Sequence, residues 1–500
     1  MELKINSRNA KDSNVDMKSD TLPIPRTDAK KNLPEGWVWK KVSDLGEVLT
    51  GTTPTKAKKE YYDSKDYPFF KPTDLNEGYY VKKSGDGLSK KGIEEARLLP
   101  SKSILVTCIG ATIGKTGLIR VSGAFNQQIN AIIPQKNVLP EFVYFVCISP
   151  QFQKSIVDNS SATTLPILNK RKFEMLTMPI PPLIEQQKIV SEIEKQFSRL
   201  DEAVAALKRV RASLKRYKAS VLKAAVEGKL TEEWRKENPN VEPAEKLLKR
   251  ILAERKKKWE EKNPKKKYKE PPAPDTSTLP DLPKGWVWAT VGQISETNPS
   301  IDKKSIPDDL LVSFVPMAEV GAENGHINVN NTRPFSEVKK GFTNFLEGDV
   351  LFAKITPCME NGKMAIVPAL SSGYGFGSTE FHVIRPYDGV NPYFIYYMVS
   401  NLSYRKEAAH HMTGAVGQKR VPESFLVNTC MPLPHLEEQL QIISEVQRRL
   451  TVIEKLYAEI NGNLKRAERL RQAILKKAFS GRLVHQASKS NSKGGVHYAK

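Results

Sequence analysis

The sequence MPIPPLIEQQKIVSEIEKQFSRLDEAVAALKRVRASLKRYKASVLKAAVEGKL, residues 178–230, returns as MPLPHLEEQLQIISEVQRRLTVIEKLYAEINGNLKRAERLRQAILKKAFSGRL, residues 431–483, at a constant offset of 253. The two copies align without a gap and match at 16 of 53 positions. Within them Ile193, Leu200, Leu207, Leu214 and Val221 recur every seven residues, as do Val446, Ile453, Ile460, Ala467 and Ile474. Heptad spacing predicts two long helices that bury these stripes against each other as an antiparallel coiled coil. Prolines precede each helix (Pro181 and Pro182; Pro432 and Pro434), and Gly228 or Gly481 stands where a left-handed residue would end it. At 1.5 Å rise per residue, about 45 residues make a rod of roughly 65 Å.

Working outward, a second echo precedes each copy. LPEGWVW (33–39) reappears as LPKGWVW (282–288), so the chain is an internal pseudo-twofold repeat. The stretches between the echoes correspond loosely, as in GKTGLI (114–119) against GKMAIV (362–367), and read as mixed α/β (α+β) regions. Short β-rich runs are expected at 103–108, 131–134, 349–353 and 381–384, with helices opened by proline at 140–152 and 392–404. The resulting organisation is a polar segment 1–32, an α/β domain 33–180, a helical rod 181–230, a basic and proline-rich linker 231–281, a second α/β domain 282–430, a second rod 431–484 and a disordered tail 485–500.

Five hundred residues suffice for several cores, and the 78 Lys and Arg exceed the 56 Asp and Glu by 22, which favours polyanionic partners. The rods at 193–230 (ten basic, four acidic residues) and 446–483 (ten and three), with linker 246–269 (twelve and three), together carry an excess equal to that whole charge. The first α/β domain is +6 and the second −1. No apolar run approaches the ~18 residues of a membrane span, and the first twenty residues hold no secretory h-region, so a cytoplasmic protein is expected. Four scattered cysteines, Cys108, Cys147, Cys358 and Cys430, suit neither a disulfide framework nor a zinc site.

Catalytic motifs fail on their spacing. IGATIGKTG (109–117) is one residue short of a phosphate-binding loop and reads better as a tight turn. Asn391-Pro392-Tyr393-Phe394 lacks the second proline of the tetrapeptide with which amino-methyltransferases grip a flipped adenine. His410 and His411 have no ligand partner in the sequence. No catalytic residue, metal ligand or cofactor is assigned to this chain.

The doubled GWVW, IGATIGKTG in the first domain and the doubled rods together resemble the specificity subunits of type I restriction–modification enzymes over nearly all of 33–484. The resemblance implies two target-recognition domains, each reading half of a bipartite, asymmetric double-stranded DNA site, with the coiled coil setting the spacer. It also implies two methyltransferase subunits using S-adenosylmethionine and motor-nuclease subunits using ATP and magnesium, with no membrane partner. The alternative is a pseudo-dimeric, non-catalytic DNA-binding or adaptor protein; a self-sufficient enzyme with unrecognised motifs ranks last. Base edges are read by polar side chains on loops. The candidates in the first domain are Thr53, Lys56, Lys58, Lys71, Asn126, Gln127, Asn169, Lys170 and Arg171; those in the second are Lys354, Ser378, Thr379, Gln418, Lys419 and Arg420. Lys115 and Lys363, which follow equivalent glycines, are candidate phosphate contacts.

Overall fold

The computed structural model describes residues 33–161, 165–415 and 417–484; segments 1–32 and 485–500 lie outside the described residues. These residues form two compact units. One comprises residues up to Val204 together with those from Lys465 onward, and the other is Ala205–Leu464. The long helices Leu183–Val226 and Leu436–Ala478 each contribute to both.

In the first unit the strands are β1 (Val38–Lys41), β2 (Gly46–Thr50), β3 (Tyr67–Phe70), β4 (Asp86–Leu88), β5 (Leu98–Leu99), β6 (Ile104–Thr107), β7 (Thr116–Leu118), β8 (Gly123–Phe125), β9 (Ile129–Pro134) and β10 (Thr177–Ile180). They build an antiparallel sheet β2-β9-β6-β7, a mixed sheet β4-β3-β8-β5 and a ribbon β1-β10. Because strand side chains alternate, β6 can serve two cores. Ile104 and Val106 face the helices, whereas Leu105 joins Phe70, Phe125 and Ala131 between the sheets.

The second unit repeats this plan with β11 (Val287–Thr290), β12 (Ser295–Thr297), β13 (Leu311–Val315), β14 (Thr332–Pro334), β15 (Thr343–Phe345), β16 (Val350–Ala353), β17 (Met364–Ile366), β18 (Gly375–Gly377), β19 (Phe381–Pro386) and β20 (Cys430–Leu433). Its sheets are β12-β19-β16-β17, β14-β13-β18-β15 and β11-β20. Here Val350 and Phe352 face the helical core, and Leu351 and Ala353 the inter-sheet core.

The conserved-looking words of the repeat touch within each unit. Trp37 Nε1 donates to Glu185 Oε1 at 3.0 Å, and Trp286 Nε1 donates to Glu438 Oε2 at 2.8 Å. The neighbouring glutamines are buried and bond only backbone. Gln186 accepts from Leu139 N (2.8 Å) and donates to Pro181 O (2.9 Å); Gln439 accepts from Asn391 N (2.8 Å) and donates to Pro434 O (3.0 Å) and Gly389 O (3.1 Å). The far ends of the helices meet the GW segments too: Gly481 abuts Pro34, and Gly228 abuts Pro283 and Trp286. Both glycines have positive φ, 71° and 68°, which allows the chain to leave the helix there.

The heptad residues pair antiparallel in each unit. Ile193 and Phe197 share a core with Ile474 and Leu475, while Val221 and Leu222 share one with Val446 and Ile443. Tyr457 donates to Arg211 O at 3.4 Å, and Arg471 pairs with Asp201. Ile193, Val221, Val446, Ile453, Ile460 and Ile474 are buried; Leu200, Leu207, Leu214 and Ala467 are half-buried, as expected where few other elements cover the seam.

Two helices differ from their sequence reading. The stretch expected as one helix over 140–152 is Pro140–Cys147 followed by Pro150–Asn159, because Ser149 caps the second by accepting from Phe152 N and Pro150 removes a donor. Likewise 392–404 divides into Pro392–Ser400 and Leu402–His410 at Asn401, whose side chain accepts from Ser403 N. The inter-repeat linker contains a helix, Ala244–Lys262, whose Leu247, Leu248 and Ile251 join the second unit's core.

One buried site marks the divergence of the copies. At the β2–β9 junction Thr50 Oγ1 donates to Asn130 Oδ1 at 2.7 Å; the corresponding position on β19 is His382, whose Nε2 meets Val421 O at 2.9 Å and whose Nδ1 meets Asn298 Nδ2 at 3.3 Å. Burial, reinforced by Lys354, holds the His382 pKa below the usual histidine value despite the opposing Val421 carbonyl, Glu423 and Glu380. The folded form therefore resists protonation, and its stability falls as pH drops through the unfolded histidine value of about 6.5. Replacing His382→Asn, as in the other copy, is expected to reduce the loss of thermal midpoint between neutral and mildly acidic pH. Gln439→Ala removes the partner of three backbone groups, of which the bond to Pro434 O is buried, and a buried group left unpaired costs about 1–3 kcal/mol. A thermal scan should show its midpoint several degrees below that of the exposed control Gln441→Ala.

Candidate nucleic-acid interface

Antiparallel pairing brings the C-terminal ends of β2 and β6 beside the N-terminal end of β9: Thr50 faces Asn130, and Thr107 faces Ile129. The parallel pair β3-β8 ends nearby, since Asn126 N donates to Phe70 O at 3.1 Å. Leu168 N donates to Cys108 O, which ties the segment before Asn169 to the same strand end. Loops carrying Thr53, Lys71, Asn126, Gln127 and Asn169–Arg171 therefore converge on one end of the sheet. The second unit does the same: Lys354 N donates to Glu380 O (2.9 Å), Ser378 N to Val315 O (3.2 Å) and Val421 N to Lys354 O (2.9 Å), gathering Lys354, Ser378, Thr379 and Gln418–Arg420.

Within these clusters the candidates differ in freedom. Thr53 donates to Gln127 Oε1, and both are exposed. Lys56, Lys170 and Arg171 are exposed, with Lys170 leaning to Glu174 at 3.4 Å. Lys58 donates to the Tyr61 hydroxyl at 2.8 Å, which raises its pKa. Lys71 pairs with Asp86 and, half-buried, holds the Asp86 carboxyl below the usual range. Two candidates hold backbone instead of projecting outward. Asn126 is buried and folds its amide onto Gln128, and Asn169 caps helix Lys170–Met175 by accepting from Lys172 N at 2.9 Å.

In the second unit Arg420 is gripped by Glu380, with Nε at 2.9 Å and Nη2 at 2.7 Å, while Nη1 donates to Gln418 O at 3.1 Å. Such a fork fixes the guanidinium plane at the sheet end. The equivalent residue in the first unit is Ile167: Ile109 bridges Ile167 just as Ile355 bridges Arg420. Thr379, Gln418 and Lys419 are exposed around it, and Lys354 and Ser378 half-buried.

IGATIGKTG forms the β6–β7 hairpin turn, with Gly110 and Gly114 at positive φ. Lys115 and Lys363 sit at equivalent strand starts, but Lys363 Nζ donates to Met317 O at 2.9 Å and so braces its own fold. Sequence reasoning missed three groups. Arg97 donates to Thr50 O at 2.5 Å, Glu380 orients Arg420, and Arg333 stacks on Phe314 at 4.1 Å. Glu380 adjoins Ser378-Thr379 and was open to discovery there; Arg97 and Arg333 lie outside any repeated word. Among the described residues no three His, Cys, Asp or Glu come together as a metal-holding group, and no helix is long and apolar enough to cross a membrane.

Comparison with known proteins supplies the family. The model of the type I restriction modification DNA specificity domain matches residues 34–215 and 283–462, one match for each copy of the repeat. The chain is similar to the Escherichia coli type I restriction enzyme EcoAI specificity subunit, at 34% identity over 279 residues, 56% of this chain and 46% of that protein. It is 35% identical to the EcoEI specificity subunit of the same species over 256 residues, 51% of this chain and 42% of that protein. The matched parts thus span somewhat less than half the length of these relatives. A solved chain from work on complex assembly and conformational transition of the type I R-M system shares the fold, with a TM-score of 0.62 at 19% identity over 90% of this chain and all of that one. The doubled match, covering well over half of the sequence, shows that this chain belongs to the type I restriction–modification DNA specificity family.

Proposed function

We propose that this chain is the DNA specificity subunit of a type I restriction–modification complex and has no catalytic activity of its own. Each sheet-end loop cluster reads one half of a bipartite, asymmetric duplex site through the major groove, and the paired helices set the spacer. The observation that carries this reading is that one scaffold occurs twice with different side chains at the same strand ends, as with Ile167 and Arg420. Two equal platforms with unequal loops suit two unequal half-sites.

The complex further contains two methyltransferase subunits, which bring S-adenosylmethionine to adenine, and restriction subunits that consume ATP with magnesium; it works in the cytoplasm. This chain contributes sequence choice and a docking surface. On the long helices Val210, Tyr217, Leu456 and Leu470 remain 50%, 45%, 44% and 50% exposed, which supports docking of a partner's apolar helix face.

Single-molecule sequencing of adenine methylation, in cells with and without this chain beside its methyltransferase, tests the reading. A split motif methylated only when the chain is present is expected; methylation indifferent to the chain would favour a non-catalytic adaptor. Exchanging 33–180 for a relative's domain should alter one half-site alone. Leu456→Asp should weaken co-purification of the methyltransferase while leaving the thermal midpoint of the isolated chain unchanged.

A further inference from the structure

The helix Ala244–Lys262 and the turn after it carry charge that the two reading platforms do not use. Leu247, Leu248 and Ile251 anchor the helix in the second unit's core, which leaves its opposite face to solvent. Some of its cations are neutralised locally: Lys249 by Glu245 at 2.8 Å, Arg250 by Glu242 at 2.7 Å and Lys258 by Glu254 at 2.8 Å. Lys256, Lys257, Lys262, Lys265, Lys266 and Lys267 are exposed, and none pairs with a carboxylate among the described residues.

The lysine-rich turn is built. Asn263 Nδ2 donates to Trp259 O at 3.1 Å, Lys266 N to Asn263 O at 3.0 Å, and Arg255 Nη1 to the Tyr268 hydroxyl at 2.6 Å. The Trp259 and Tyr268 rings pack edge to face at 5.5 Å, which pins the turn against the helix end. Lys262, Lys265, Lys266 and Lys267 crowd the helix end and the turn, where the nearby exposed Glu260 and Glu261 form no ion pair with them among the described residues; their mutual repulsion is relieved by a polyanion.

We infer that this helix and turn form a second DNA contact, an arm that grips duplex phosphates without reading bases. It sits away from the reading loops. Leu247 packs on Gly389 and Lys258 approaches Asp388 at 3.8 Å, both just beyond the Pro386 end of β19, whereas Ser378, Thr379 and Glu380 precede its Phe381 end. Six strand residues separate the two by roughly 20 Å. The phosphates gripped therefore belong to duplex outside the base pairs that this unit's loops read. The chemistry favours phosphate over an acidic protein face: lysines act as hydrated point charges, and the aromatic rings that would anchor a protein interface are turned onto each other.

The inference rests on the DNA-specificity reading, and its test separates the two. The full chain carrying Lys262→Gln, Lys265→Gln, Lys266→Gln and Lys267→Gln is titrated with duplexes of random sequence and of the methylated sequence across a salt series. Among the described residues these side chains make no hydrogen bond or ion pair, so the thermal midpoint should not fall. The slope of log affinity against log salt should flatten by about 0.9 for every lysine in contact, hence by about 2 to 4, equally on both duplexes. The methylated sequence in cells should not change. An unchanged slope overturns the arm, as does an unchanged slope with weakened methyltransferase binding, which would mark an acidic protein partner. An altered methylated sequence overturns the claim that the arm reads no bases. If the chain directs no methylation at all, the specificity reading falls while the salt slope still judges the arm.

Discussion

Everything in each unit hangs on how the long helix begins. A helix start exposes backbone groups that have no partner within the helix, and here the start is packed against a domain, where water cannot serve. A buried glutamine ties this start to the domain in both copies: Gln186 and Gln439 each donate to a pre-helix proline carbonyl and accept the N–H that opens a neighbouring helix. The preceding glutamate receives an indole N–H from the GW segment. In the second unit Glu438 also takes Thr231 and Arg235, so the turn after Gly228 is drawn into the same knot. The far end of the other helix closes on that segment through Gly481 or Gly228, so one short word organises two helix termini at once.

From that seat the chemistry separates into what is shared and what differs. The strands β6 and β16 must satisfy a core on each face, which leaves little freedom for their side chains. The loops at their ends carry no such duty, so Ile167 can stand where Arg420 stands in the other copy. At the packed junction the two copies meet their polar groups differently, by Thr50 with Asn130 in one and by Asn298 and Val421 with His382 in the other, while the buried Thr107 and Thr297 hydroxyls find no partner. A site that reads sequence needs this arrangement: a rigid base with variable, oriented groups at its edge. Glu380 supplies the orientation for Arg420 at a cost in charge, which helps explain why the second domain is not basic overall.

Much of the plan was legible along the chain, because heptads, prolines, glycines and repeated words are local signals. The ten heptad residues all turned out buried or half-buried. Candidate loop residues were harder, since a polar side chain in a loop looks alike whether it caps a helix, as Asn169 does, or stands free, as Gln418 does. The two split helices failed for a related reason: apolar periodicity ran through Ser149 and Asn401, and only the cap bonds show the break.

The sequence by itself determined the repeat, the rods with their register of apolar residues, and the absence of familiar catalytic spacings. Those properties follow from period, offset and residue type, which need no partner to be read. Tertiary structure alone decided that Trp37 meets Glu185 across 148 positions, that strand ends gather distant loops, and that the helical pattern of Leu247, Leu248, Ile251 and Leu252 in the basic linker packs on the second unit's core and ends in a pinned turn. Contacts between residues far apart in the chain depend on where antiparallel pairing and core packing return the backbone, and no local pattern encodes that return.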